Sequence, residues 1–243
     1  MEQMDVTAAL ERLREKMSKS TGSKRRPRHT EKIEFFKPIY DKPIVLKTNI
    51  NETYAAAGIP KRYYGMSFDW LKENGVFQSD DKEAYAVVKD YRDNLAEYMN
   101  TGKGLILRGP AGMGKTSLAV CILKEVMKLN TGAMMISMPN LLDTMLTLSK
   151  GDRVAYLAYE QKLKHIPMLL LDDFGAEYSK SDWVAAKVES IIIERYNSMR
   201  PIILTTNYSD QWTKDNYSGR IYDRLRGEYK VAVFMGQSHR DKN

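Results

Sequence analysis

The sequence predicts an α/β protein with a parallel five-stranded sheet lying between helices. Two observations carry this. Five short runs are apolar throughout rather than at every second position, and they alternate with stretches of helical period. That is the pattern of strands buried on both faces and joined by helical crossovers. The second observation is Gly109-Pro110-Ala111-Gly112-Met113-Gly114-Lys115-Thr116, which satisfies G-x-x-x-x-G-K-[ST] at every fixed position. It sits between an apolar run and a helical one, the strand–loop–helix setting in which such a loop binds phosphate.

In chain order, Asp81–Met99 reads as a helix leading into the first strand, Gly104–Arg108. The loop follows, then a helix over Ser117–Lys128. Ala133–Met138 reads as a strand, and Asn140–Ser149 and Asp152–His165 as helices. Met168–Asp172 is a strand, Asp182–Met199 a long helix, Ile202–Thr206 a strand, Gly219–Arg226 a short helix and Lys230–Met235 the last strand. Before these, Val6, Leu10, Leu13 and Met17 form the apolar stripe of a short amphipathic helix within Met1–Ser18. Lys19–Arg28 (KSTGSKRRPR) is small, polar and basic, as a linker is. The expected division is therefore a partner-binding extension with a basic linker at 1–52 and a nucleotide-binding domain at 53–243. Glu31–Asn51 carries no assignable pattern.

Composition narrows the function class. The chain has 243 residues, a net charge of +7 and a single cysteine, Cys121, so it holds no internal disulfide or cysteine-rich zinc site. One cysteine suits a reducing cytoplasm, and the absence of a long apolar run excludes a membrane-spanning helix. The first 50 residues hold 12 lysines and arginines against 7 acids, so most of the positive charge lies there. A basic segment on a nearly neutral domain points to nucleic acid or an acidic partner.

The loop itself defines the site. Glycines let successive N–H groups face a polyphosphate, so Gly109, Pro110, Ala111, Gly112, Met113 and Gly114, with Ser117 beyond, are expected to bind ATP. Lys115 is placed for the β- and γ-phosphates, and the Thr116 hydroxyl for Mg²⁺. Met168–Asp172 delivers an acid to the carboxyl end of a buried strand, where ligands bind in open α/β sheets. Asp172 is thus a metal ligand and Asp173 a residue that orients or polarises water. Ile202–Asn207 ends a buried strand on an amide, so Asn207 is a candidate for the γ-phosphate or its water. In Gly219–Gly227 (GRIYDRLRG), Arg220 and Arg224 share a helical face and are candidates to reach a neighbouring subunit's phosphates.

The order of these motifs resembles the AAA+ superfamily of P-loop NTPases. Within it, the chain is similar to the replicative-helicase loaders of the DnaC/DnaI type, in the IstB-like group. The stretches that carry the likeness are GIPKRYYGMSF (58–68), 104–117, SMPNLLD (137–143), LLLDDFGAE (169–177), ERYNSMRPIILTTN (194–207) and GRIYDRLRG (219–227). The resemblance implies ATP and Mg²⁺ as cofactors, Asp173 as the hydrolytic acid, Asn207 at the sensor-1 position and Arg224 as the trans-acting finger with Arg220 second. It also matches GQSHR (236–240) to a short terminal motif. Little chain follows the last strand, so no C-terminal lid domain is expected, a departure from the superfamily pattern. The implied partners are a hexameric replicative DNA helicase, single-stranded DNA and further copies of the chain, with no membrane. Lys150, Arg153 and Phe174 are DNA-contact candidates by location. Asp173 departs from the glutamate of most AAA+ proteins. A transposition helper of the IstB type, acting with a transposase on duplex DNA, shares this core; a small-molecule kinase would need a substrate insert, and none is apparent.

Overall fold

A computed structural model describes residues 49–77, 79–129, 131–176, 182–236 and 238. The N-terminal helix, the basic linker and most of the GQSHR stretch lie outside these residues. Among the described residues, the chain begins with helices α1 (Ile50–Ala56), α2 (Phe68–Glu73), α3 (Lys82–Asp93) and α4 (Leu95–Thr101). It continues with β1 (Leu105–Arg108), α5 (Lys115–Lys128), β2 (Ala133–Ser137), α6 (Met138–Gly151), α7 (Arg153–His165) and β3 (Met168–Asp172). Then come α8 (Asp182–Asn197), β4 (Ile202–Thr206), α9 (Asp210–Asn216), α10 (Gly219–Glu228) and β5 (Lys230–Val233).

The five strands form one sheet in the order β2-β3-β4-β1-β5, and every pairing is parallel. Strand register explains the unbroken apolar runs. In β3, Met168 and Leu170 enter one core while Leu169 and Leu171 enter the other, and β1 divides Leu105 and Leu107 from Ile106 in the same way. Helices α3, α4 and α5 cover the first face with Val88, Tyr91, Tyr98, Leu118 and Ile122; α6, α8 and α10 cover the second with Leu141, Val188 and Ile221. Both faces being dry, each strand needs apolar residues at consecutive positions.

Three departures from the sequence reading have local causes. The single helix expected over 81–99 is two, because the Asn94 side chain turns back on Asp90, its amide reaching the Asp90 carbonyl at 3.1 Å and carboxylate at 3.0 Å. Asparagine competes in this way with the helical backbone for its own partners. Helix α9 is polar and only about two turns long, so it shows no stripe; the Ser209 hydroxyl starts it by accepting from Trp212 N–H at 3.2 Å. Strand β2 stops at Ser137 because Pro139 occupies the first turn of α6, where its fixed φ suits a helix.

Two buried cations fasten these elements. Lys124 of α5 donates to the carbonyls of Tyr63 (2.6 Å), Tyr64 (3.0 Å) and Met66 (2.7 Å), with its ammonium 4.7 Å from the Tyr54 ring centroid. It joins the phosphate-loop helix to the segment between α1 and α2. Arg195 of α8, fully buried, donates to the carbonyls of Leu163 (2.9 Å), Ile166 (2.7 Å), Pro167 (3.1 Å) and Pro201 (2.7 Å). It ties the end of α7 to the approaches to β3 and β4.

Candidate nucleotide site

The loop between β1 and α5 bends through left-handed positions, with φ of 85° at Gly112 and 73° at Gly114, a region costly for residues that bear a Cβ. It is also packed from outside. A Cβ at Gly109 would come within 2.4 Å of the Phe234 carbonyl, and one at Gly112 within 2.2 Å of the Ser238 hydroxyl. The chain after β5 thus lies against the loop, and Asp81 holds it there by accepting from the N–H groups of Met235 (2.7 Å) and Gly236 (3.0 Å).

Strand ends bring the expected polar groups together. Lys115 is largely buried, and its ammonium donates to the carbonyls of Gly109 (2.7 Å) and Pro110 (2.6 Å) and to Asn207 Oδ1 (2.8 Å). One ammonium therefore links the loop to the end of β4. At the end of β3, Asp172 Oδ1 accepts from Thr116 (2.8 Å) and from Thr205 (2.6 Å), while Thr205 Oγ1 accepts from the Asp173 N–H (2.9 Å). Burial raises the Asp172 carboxyl above its ordinary range; the Thr205 and Thr116 hydroxyls pull it back, and the Asp173 charge raises it further. Asp173 is a non-glycine residue with φ 56°, turned out of the strand direction and held by an Ala176 N–H to Asp173 carbonyl bond of 2.9 Å.

No motif marks Thr205 inside the TTN stretch, yet its hydroxyl bonds the Asp172 carboxylate and the Asp173 backbone. Thr205→Val keeps the side-chain shape but leaves the Asp173 N–H without its partner. We expect a loss of roughly 1–3 kcal/mol in urea unfolding, largely restored by Thr205→Ser.

A cleft of about 430 Å³ runs over the loop, with Lys115, Thr116, Asp173 and Asn207 at its polar side. Its other wall is Met66, Trp70, Leu71 and Val76, contributed by α2 and its flanks. No polar motif marks this wall in the sequence; the signal was only the apolar residues of 66–76. A wall of this kind suits a flat base, beside a loop that suits phosphates.

The residues also fit Mg²⁺. The Thr116 hydroxyl and the Asp172 carboxylate are hard oxygen donors in direct contact, and this ion is usually held by one or two carboxylates together with substrate phosphates.

Other expected residues fall elsewhere. Arg220 and Arg224 are on α10, and neither lines the cleft of its own chain. Arg224 donates to the Arg220 carbonyl (3.1 Å) and lies 5.0 Å from the Tyr196 ring centroid. Phe174 is 2% exposed and stacks on Tyr217 at 5.0 Å, so it is core and offers no surface to a base. Lys150 and Arg153 are exposed. Cys121 is buried, which pushes its thiol up to about 12 and makes it inert. No helix among the described residues is long and apolar enough to cross a membrane.

A parallel sheet of this order, with a phosphate loop after β1, paired acids after β3 and an amide after β4, defines an AAA+ type P-loop protein. More narrowly, the chain belongs to the IstB-like ATP-binding proteins, whose family model matches residues 77–243. It is 31% identical over 144 residues to the replicative helicase loader DnaI of Bacillus subtilis (strain 168), covering 57% of this chain and 44% of that protein. It is 27% identical over 154 residues to a Bacillus thuringiensis subsp. berliner protein named for ATP binding and insertion sequence IS232, covering 60% of this chain and 59% of the relative. The chain thus spans about half the length of these curated relatives. Among solved structures it resembles that of the DnaC helicase loader, with TM-score 0.61 and 26% identity over 72% of this chain and all of the other.

Proposed function

We propose that the chain is an ATP-driven switch that delivers a hexameric replicative DNA helicase onto single-stranded DNA. The observation that carries the switch is the meeting of Lys115, Thr116, Asp173 and Asn207 around one cleft, with Asp172 bonded to Thr116. The similarity to DnaI and DnaC supports the loading role.

In this reading the loop wraps the phosphates from Gly109 to Thr116 with the N–H groups of Ala111 to Thr116 as donors, and Ser117 extends the cradle into α5. Lys115 exchanges its bonds to the loop carbonyls for the β- and γ-phosphates, a change that Asn207 feels because it shares the same ammonium. Thr116 and Asp172 hold Mg²⁺, which when bound neutralises charge on the terminal phosphates. Asp173 accepts a proton from the attacking water, and Thr205 fixes that carboxylate's backbone. Arg224, with Arg220 behind it, completes the site of a neighbouring copy, so ATP joins subunits into an oligomer. Residues 1–52 grip the helicase, 53–243 form the ATPase, and the protein works in the cytoplasm.

Arg224→Ala tests the shared site. Its ATP affinity is expected to stay within about twofold of the unaltered chain, since a finger acts mainly in the transition state. Turnover per chain should lose its rise with chain concentration; a rise that persists refutes the trans role.

The similarity to the IS232 protein favours one second reading, a transposition helper on duplex DNA. Affinity capture from the source cells with ATP, scored by mass spectrometry, separates the two. Recovery of the replicative helicase and ATP-dependent preference for single strands support the loader. Recovery of a transposase with preference for duplex overturns it.

A further inference from the structure

A second cleft of about 770 Å³ lies beside the first, between the Gly58–Tyr63 segment and the carboxyl ends of β2 and β3. Among the described residues, four line both clefts: Arg62, Tyr63, Thr116 and Asp173. These four ring the place where the clefts meet. Thr116 and Asp173 assign that place chemically, because the magnesium-side hydroxyl and the acid for the attacking water belong at the terminal phosphate. The apolar wall of Met66, Trp70, Leu71 and Val76 belongs to the first cleft alone.

Arg62 is therefore a second cation, beside Lys115, for the terminal-phosphate end. It is exposed and forms no ion pair among the described residues. Its guanidinium lies 5.0 Å from the Tyr63 ring centroid. Tyr63 holds the guanidinium through its ring and a side-chain hydrogen bond, and an arginine has five N–H donors, so others remain for a phosphate. The backbone is fixed as well: Tyr63 N–H and Tyr64 N–H close a tight turn on Pro60 and Lys61, and Lys124 clamps the carbonyls that follow. The segment that carries Arg62 is thus bonded to the helix that starts at Lys115.

We propose that Arg62 binds the γ-phosphate from within the same chain and sets the preference for ATP over ADP. This rests on the reading of the first cleft as the nucleotide site. It is separate from the finger on α10, which acts between chains.

The test titrates the full chain, Arg62→Ala and Arg62→Lys with fluorescent ATP and ADP analogues and Mg²⁺, with melting temperature as a fold control. Arg62→Ala is expected to weaken ATP about tenfold and ADP less than about twofold, the scale of one charged hydrogen bond lost at the third phosphate. Arg62→Lys should fall between, keeping charge without the fork. Should Arg62→Ala melt early, Arg62→Lys carries the comparison alone. Equal loss for both nucleotides, or no loss for either, overturns the proposal and leaves the nucleotide site standing. An ATP-specific loss that vanishes on dilution also overturns it, because a residue of the same chain acts at any concentration. Failure of the unaltered chain to bind either nucleotide refutes the site itself, and Arg62's role with it.

Discussion

Lys115→Ala is expected to lower ATP affinity by about a hundredfold or more, measured by calorimetric titration with Mg²⁺. Two losses combine. The ammonium is the charge nearest the expected β- and γ-phosphates, and hydrogen bonds to charged groups contribute roughly 1.5–3 kcal/mol each. The same ammonium also bonds the Gly109 and Pro110 carbonyls and Asn207, so its removal slackens the loop and uncouples the end of β4. The fold should persist, since Lys115 belongs to neither apolar core. Normal affinity in this variant would mean that ATP binds elsewhere or not at all.

Arg195→Met carries the largest expected effect on stability. The guanidinium is fully buried, and burial lowers its pKa to about 9, so it remains protonated at neutral pH. Charging it in the interior is unfavourable, and four strong carbonyl bonds offset that cost. Methionine fills the volume but removes the guanidinium bonds to the carbonyls of Leu163, Ile166, Pro167 and Pro201. Removing one side of such a buried arrangement costs roughly 3–5 kcal/mol. In a chain of this size that lowers the melting temperature by roughly 6–20 °C. A melting temperature within a degree or two of the unaltered chain would show that water replaces the guanidinium freely.

Neither Arg195 nor Lys124 could be recognised as buried from its neighbours in the sequence. Glu194, Arg195 and Tyr196 read as one more amphipathic turn, and Lys124 sits between Leu123 and Glu125 like any surface lysine. Most of their partners are main-chain carbonyls from segments 28 to 61 residues away, and a carbonyl has no letter in a sequence. The loop and the two strand ends were legible for the opposite reason: local spacing fixes them, and a parallel sheet brings its carboxyl ends to one edge whatever the helices do. The apolar wall from α2 lay between. Its residues were visible as part of a family-like stretch, but only folding sets Trp70 and Leu71 opposite Gly112 and Gly114. Helix α9 and the break at Asn94 escaped because both depend on a single side chain capping or interrupting a short run.

The left-handed backbone at Asp173 has a consequence for what can stand there. Beside glycine, asparagine and aspartate are the residues that visit this conformation routinely. A glutamate, with its carboxylate one carbon further out, lacks the short side chain that makes the conformation tolerable. Of the residues with that short side chain, only aspartate carries an acid. The backbone at position 173 therefore favours the shorter acid without forbidding a longer side chain, as Met199 at φ 52° shows elsewhere in this chain.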